Sequence, residues 1–323
     1  MTTDNRAATS PTIAVVVPCF NEQESVTPAV KELRSILESL AEHDVVSRDS
    51  FVLFVDDGST DGTWPTIEEH HRTTRLVRGL KLSRNFGHQN ALLAGLMEVR
   101  GSCDAAVSLD ADLQQDPGAI PAFVDAFKRG FDVVLGVRKD RKSDGPLKRY
   151  SALGFYSVMN LMGVDAIPNH ADYRLLSARA LDALALFEEP NIFLRATCMR
   201  LGFRVTTISF DVRDRQFGVT KYSLHKMSRL AIHGITSFSV TPLRIVAIIG
   251  VLLFFMSAAM GIYVAWRALV VGDTVPGWAS TALPIYFIGG VQLLCLGVVG
   301  EYVGQIYTTV KHRPRWICEN RLG

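Results

Sequence analysis

Short apolar runs alternate with helical spacings along the first half of the chain. Ile13–Val17 (IAVVV) is a continuous apolar run ending at Pro18, the pattern of a strand buried on both faces. Val26, Val30, Leu33, Leu37 and Leu40 then recur at helical spacing. Phe51–Val55 predicts a second strand with a helix from about Thr63, and Leu80–Leu82 a third, weaker strand with a helix over Ala91–Val99. Ala105–Leu109 predicts a fourth strand, with Pro117 in the first turn of the helix that follows, and Val133–Val137 a fifth. Strands alternating with helices need crossover connections, so the pattern predicts an α/β domain with a mainly parallel sheet, Rossmann-like and covered on both faces. Ligands of such sheets bind outside the carboxyl ends of the strands.

The second half is patterned for a different solvent. Ile245–Trp266 is 22 residues without a charge, and Thr274–Gly300 is 27 more, broken only by Pro276, Pro284 and Gln292. A helix needs about 20 apolar residues to cross about 30 Å of hydrocarbon. The chain therefore predicts a hairpin of two transmembrane helices over residues 243–310, at about 243–271 and 281–303. Lys221, Lys226, Arg229 and Arg244 precede it, and Lys311, Arg313, Arg315 and Arg321 follow. The connecting loop holds Asp273 and no Lys or Arg, although Arg267 sits near its edge. Basic flanks stay inside, so both termini and the large domain are expected in the cytoplasm of a multi-pass plasma (inner) membrane protein.

Residues 221–242 read as an amphipathic helix on the headgroups, with Leu224, Met227, Leu230 and Ile235 on one face and Lys226, Arg229 and His233 around it. A surface helix packed on the domain gives the same spacing. Gly300 and Gly304 form a small-xxx-small pair suited to close helix approach. Residues 311–323 are expected as a basic cytoplasmic tail, and residues 1–11 as a disordered lead-in without the apolar stretch of a signal peptide. The catalytic domain is expected over residues 12–220.

Composition narrows the classes. With 48% hydrophobic and 20% charged residues the chain is not disordered. Thirty-four Lys+Arg against 32 Asp+Glu leave +2, too balanced for a protein that coats nucleic acid. The five cysteines contain no C-x-x-C pair, which disfavours a zinc site or a disulfide scaffold and fits a reducing compartment.

Polar punctuation follows four strands and forms one rim: Pro18 to Glu22, Asp56 to Gly62, Ser83 to Asn85, and Asp110 to Gln114. Neither G-x-G-x-x-G nor G-x-x-x-x-G-K-[ST] occurs, so the usual phosphate cradles are absent. Asp110 and Asp112, two positions apart at a strand end, aim two carboxylates at one point. Alone they repel; a divalent cation removes the conflict and fills its remaining positions with phosphate oxygens and water. Gln114 is spaced to add a carbonyl oxygen. Asp56 and Asp57 offer a carboxylate to a nucleobase N–H or build a β-turn with Gly58. Glu22 is a nucleotide-side acid or a first-turn helix acid.

Six ordered segments carry a resemblance: VVVPCFNEQESV, FVDDGSTDGTW, KLSRNFGHQNALLAGL, SLDADLQQDP, ADYRLLSARAL and RQFGVTKYS. With the two apolar helices and the closing GEYVGQIY and RPRW, they resemble the family 2 glycosyltransferases that charge polyprenyl phosphate. The likeness runs from Ile13 to Trp316 and is strongest to the bactoprenol (undecaprenyl-phosphate) glucosyltransferases of O-antigen glucosylation. Dolichol-phosphate mannose synthases and aminoarabinose-undecaprenyl-phosphate transferases are also similar, the latter less so over DYRLLS.

The resemblance implies a GT-A fold and transfer of a sugar from a nucleoside diphosphate donor, UDP-glucose on branch likeness, to a membrane polyprenyl phosphate. It implies Mg²⁺ or Mn²⁺ on Asp110, Asp112 and Gln114. It implies nucleotide contacts from Pro18, Asn21, Glu22, Asp57, Arg84, Asp110 and Ala111. Asp172, Arg215 and Lys221 fall on catalytic positions, and Arg174, Arg215 and Lys221 on the side of the lipid phosphate. R-x-x-G-x-[ST]-K falls on Arg215, Gly218, Thr220 and Lys221, with Thr220 keeping the hydroxyl of the usual Ser. Inversion at the anomeric carbon and a homotetramer are implied in the same way.

The acceptor phosphate is already anionic, so its difficulty is repulsion by the donor diphosphate rather than a proton to be removed. Asp172 is accordingly expected to orient acceptor or sugar, or to do weak base work, against its use as a helix N-cap or salt-bridge partner of Arg174. Two other classes compete. A polysaccharide synthase would carry more membrane helices and Q-x-x-R-W. A non-catalytic nucleotide-sugar-binding membrane adaptor would have no need of Asp110, Asp112 and Arg215.

Overall fold

The computed structural model describes residues 10–138, 170–189, 192, 194–213, 241–266 and 278–323. The first apolar run forms β1 (Ile13–Cys19), every residue of it buried. Next come α1 (Gln23–Glu42), β2 (Phe51–Asp56), α2 (Thr63–Thr73), β3 (Val77–Leu82), α3 (His88–Glu98) and β4 (Ala105–Ser108). A 3₁₀ turn at Pro117–Ala119, capped by the Asp116 side chain, leads into α4 (Ile120–Lys128) and β5 (Val133–Arg138). Pro117 does open this turn, where its missing N–H leaves no bond unmade.

The chain resumes with β6 (His170–Ser177), α5 (Ala178–Ala185), α6 (Leu194–Arg200) and β7 (Val205–Phe210). Two long helices, α7 (Thr241–Trp266) and α8 (Trp278–Val310), precede a last strand, β8 (Cys318–Leu322).

The eight strands make one sheet in the order β7-β5-β6-β4-β1-β2-β3-β8. β4, β1, β2 and β3 pair in parallel, as does β5 with β7. β6 enters antiparallel to both β4 and β5, so the fifth predicted strand is not the neighbour of the fourth. One face carries Val15, Val17, Val26, Leu33, Ile67, Phe123 and Tyr173. The other carries Val16, Leu53, Leu92, Leu96, Leu181 and Leu194. Each fully buried side chain of this size contributes about 1.5–3 kcal/mol. Gly95 lets α3 lie directly on the sheet, because a Cβ there would stand 2.4 Å from Val16 Cγ1 and 2.7 Å from Val55 Cγ2.

Two boundaries change. Pro11 is buried and its carbonyl accepts from Ser47 N at 2.9 Å, so the folded domain already includes residues assigned to the lead-in. The expected tail is part of the sheet: β8 runs antiparallel to β3, pairing Gly79 with Leu322 and Leu82 with Cys318. A polar strand with little apolar periodicity gives no sequence signal, and its pairing rests on backbone hydrogen bonds. Residues Arg313–Gly323 accordingly belong to the sheet domain, whereas α7 and α8 form a second unit.

In that unit Ile248, Leu252, Phe255 and Ile262 of α7, with Leu293, Leu296 and Ile306 of α8, are 60–73% exposed. An uncovered apolar band of this kind suits hydrocarbon rather than water. Among the described residues Phe287–Val310 meets the length and composition of a membrane span, with 24 residues at mean hydropathy 1.5. A Cβ on Gly300 or Gly304 would meet nothing within 4 Å among the described residues. Most of the predicted juxtamembrane helix, residues 221–240, lies outside the described residues.

Candidate active site

The carboxyl ends of β1, β2, β3 and β4 do carry the four polar loops. Asn21, at a positive φ of 54°, ties the first loop to the second: its N–H donates to Ser59 Oγ and its Oδ1 accepts from Thr60 N, both at 2.9 Å. Glu22 stands at the start of α1, where its carbonyl accepts from Ser25 N and its Oε2 from Ser25 Oγ at 2.6 Å. Pro18 is buried inside β1.

The Asp56–Asp57 pair divides its labour. Asp57, predicted at the nucleotide, turns both oxygens into the fold, accepting from Phe86 N at 2.7 Å and Gly87 N at 2.9 Å. It thereby fixes the loop between β3 and α3. Gly58, at φ 69°, clears that same loop, since a Cβ there would stand 2.4 Å from the Arg84 carbonyl carbon. Asp56 is fully buried; its Oδ1 accepts from Ser59 N at 3.0 Å, and its Oδ2 has no hydrogen-bond partner among the described residues. Burial pushes its carboxyl up from the ordinary range. Arg84 is exposed on the loop, with its guanidinium 4.1 Å over the Phe86 ring.

At the end of β4, Ala111 is buried between two acids. Asp112 Oδ1 accepts from Gln114 N at 3.1 Å, closing a tight turn in which Leu113 takes φ 52°. Gln115, which sequence reasoning passed over, touches Asp110: its Nε2 donates to Asp110 Oδ2 at 2.5 Å and its Oε1 accepts from Asp110 N at 3.2 Å. The backbone of Gln114, expected as a metal ligand, serves the turn, its carbonyl accepting from Arg213 N at 2.9 Å. Asp110 is pushed up to about 6, by burial first and then by the charges of Asp172 and Asp112, against the pull of His88 and Arg195.

Asp172 lies inside β6, not at a helix N-cap; Ser177 is the residue that caps the next helix, accepting from Ala180 N at 3.2 Å. Arg174 Nη2 donates to Asp172 Oδ1 at 2.5 Å, and Arg195 donates from Nε to Oδ1 at 3.2 Å and from Nη2 to Oδ2 at 2.8 Å. Two guanidiniums hold this carboxyl far below the usual carboxylate range despite its burial. Arg174 is buried; its contact is with Asp172, and Cys198 Sγ lies 3.6 Å from its Nη1.

His88, the first residue of α3, joins the two acids: its Nε2 is 3.6 Å from Asp110 Oδ1 and 3.8 Å from Asp172 Oδ2. Neither His88 nor Arg195 stands out in the sequence, because each reaches the site from a helix start fixed by tertiary packing. Arg215 and Lys221 lie outside the described residues. The chain leading to them is held at the rim, with Arg213 pairing to both Asp116 and Glu32 at 2.6 Å.

The donor set suits a hard dication. Asp110 is an oxygen ligand crowded by two further carboxylates, and a bound positive charge would relieve the repulsion that raises its pKa. No cluster of three or more His, Cys, Asp or Glu side chains capable of holding a metal occurs among the described residues. Such an ion would therefore need further oxygens from a ligand, as Mg²⁺ takes from substrate phosphates.

The family described as Glycosyl transferase family 2 matches residues 14–195, and the one described as GtrB C-terminal hairpin matches residues 241–306. The glycosyltransferase YkoT of Bacillus subtilis (strain 168), which carries the label uncharacterized, is 44% identical over 309 residues, 96% of this chain and 91% of that protein. The bactoprenol glucosyl transferase of Shigella phage SfV is 37% identical over 309 residues, 95% of this chain and 98% of that protein. Among solved structures, glucosyl-3-phosphoglycerate synthase from Mycobacterium tuberculosis matches at TM-score 0.49 and 19% identity, over 73% of this chain and 82% of that one.

Proposed function

The chain belongs to glycosyl transferase family 2, with a GT-A catalytic domain and a GtrB-type C-terminal hairpin, and we propose that it transfers glucose from UDP-glucose to undecaprenyl phosphate at the cytoplasmic face of the membrane. The observation that carries this reading is the end-to-end match to a bactoprenol glucosyl transferase, through catalytic domain and hairpin alike. The acidic rim described above fits the chemistry.

In this reading Asp110 and Asp112 hold Mg²⁺ or Mn²⁺, with Gln114 or Gln115 beside them. The ion supplies Lewis-acid stabilisation of the charge that develops on the leaving diphosphate. Asn21 and Asp57 shape the walls of the donor site by fixing its loops. Arg84, exposed on the loop that Asp57 fixes, faces the donor.

The lipid phosphate attacks the anomeric carbon through an oxygen that is already ionised, since a phosphate monoester sheds its second proton near pH 6. The C1–O bond to UDP breaks with its electron pair going to the diphosphate, and no proton has to move. Asp172 is accordingly a positioning carboxylate that aims Arg195, and a poor base, because two guanidiniums depress its proton affinity. Arg215 and Lys221 offset the repulsion between acceptor and donor phosphates. In-line attack inverts the sugar.

The test is to incubate membranes carrying the protein with undecaprenyl phosphate, Mg²⁺ and a panel of radiolabelled nucleotide sugars. Label enters the organic phase from UDP-glucose and is lost in Asp112→Ala. Labelling from another donor alone would replace the sugar, and none from any donor would favour the adaptor reading. Protease added outside intact cells should spare the sheet domain if it is cytoplasmic.

A further inference from the structure

We propose that β8, the strand that follows the second hairpin helix, is a positioning element of the donor site, holding the Ser83–Gly87 loop that carries Arg84 and leads into His88. The inference rests on the reading of that loop as part of the nucleotide-sugar site.

β3 would otherwise end as an open sheet edge with unpaired backbone groups. β8 closes it, and its grip extends past the strand. Ser83 N, the first amide of the loop, donates to Ile317 O at 3.0 Å. Lys81 Nζ, two residues earlier, pairs with Glu319 Oε1 at 2.8 Å. Trp316 and Cys318 pack against the same core cluster as Phe86, the fourth residue of the loop. Arg315 donates to the Phe187 carbonyl, and Arg321 Nε pairs with Glu98 Oε1 at 2.7 Å at the far end of α3. The tail thus touches the loop's first residue and the last residue of the helix that His88 begins.

Further anchors of the loop come from β2: the Asp57 carboxylate on Phe86 N and Gly87 N, and the side-chain-free Gly58 under Arg84 and Asn85. A five-residue segment held from one side only retains freedom at its other end. Without Ile317 O, Ser83 N loses its partner, and the loop keeps only the anchors at its far end, Asp57 on Phe86 N and Gly87 N and Asn90 Nδ2 on Phe86 O at 2.9 Å. His88 must sit 3.6 Å from Asp110 and 3.8 Å from Asp172 to bridge the two acids, a placement a shifted helix start cannot keep. The residues after the membrane helix are therefore part of the framework of the catalytic site.

The experiment compares the full chain with one ending at His312, both in detergent micelles, by hydrogen exchange of backbone amides and by titration with UDP and Mn²⁺. Removal of the tail should speed exchange at residues 83–87 by about tenfold or more while residues 13–19 keep their protection. The dissociation constant for UDP should rise about tenfold. A synthetic peptide of residues 313–323 should restore both, and a scrambled peptide neither. If truncation unfolds the domain, Trp316→Ala is read by the same two measurements. Unchanged exchange at residues 83–87, or equal loosening of residues 13–19, would overturn the proposal, the latter because it marks a general loss of stability. Full-length protein that binds no UDP would defeat the nucleotide reading, while the exchange comparison still decides the role of the strand.

Discussion

Asp110 and Asp172 both face Nε2 of the same imidazole, yet their surroundings drive them in opposite directions. Asp110, at the end of β4, is pushed up to about 6 by burial first and then by two other carboxylates, against the pull of His88 and Arg195. Asp172, on the neighbouring antiparallel strand, has two guanidiniums and stays ionised far below the usual range. The first carboxylate is an electrostatic vacancy suited to a cation; the second is already satisfied by cations the chain supplies. Two acids on one rim therefore have different jobs, and the neighbours rather than the residue type assign them.

The sharpest way to break this contrast is to remove the acidic pair. Asp112→Ala should reduce lipid-linked sugar formation by about a thousandfold. EDTA should do the same to the unmodified protein, with Mg²⁺ or Mn²⁺ restoring it. Full activity in chelator would erase the distinction between the two acids.

Asp172→Asn should cost about a hundredfold through misplacement of Arg195. Because the carboxyl is depressed, its contribution is complete above the ordinary carboxyl range and is lost only in strong acid. The pH profile of kcat/KM should therefore show no ionisation from Asp172. A limb that disappears in the variant would make it a base. His88→Ala, which removes the bridge, should cost about tenfold in kcat, read against an unchanged melting temperature.

The smallest effect is on stability. Asp110 has a folded pKa near 6 against an ordinary 3.8, so its ionisation weakens the metal-free fold as pH rises through that window. Asp110→Asn, uncharged, should be more stable than the parent above pH 6 by about 1 kcal/mol, after allowance for the partly exposed carboxylate. The gain should fade below pH 4. Thermal melting at two pH values reads it, and an inactive variant no more stable at pH 8 than the parent would remove the electrostatic strain assigned to Asp110.

The two regions also differ in how far the sequence revealed them. The β1–β4 half was legible because continuous apolar runs ended in polar loops, and topology then brought those loops to one rim. The β6 region was not. Tyr173 and Leu175 pack on one face of the sheet and Leu176 on the other, and Arg174 is buried as well, so no apolar-in, polar-out contrast marks the strand. A charged residue in the middle of a strand reads as solvent-facing until its partner is seen. The Asp172–Arg174 pairing was weighed as an alternative, but Arg195 comes from a short helix 21 residues beyond Arg174, beyond the reach of local spacing. Asp57 and Asp56 were separable only by the loop that Asp57 holds. β8 is polar and mostly exposed, and nothing in CENRL announces an edge strand.

The most direct test of the division between the two acids is calorimetric titration of Mn²⁺ in the presence of UDP, on the full-length protein and on Asp110→Asn and Asp172→Asn. The account predicts that Asp110→Asn weakens Mn²⁺ binding by about a hundredfold or more, whereas Asp172→Asn keeps it within about threefold while losing sugar transfer. Equal loss in both variants, or undiminished Mn²⁺ binding in Asp110→Asn, would contradict it.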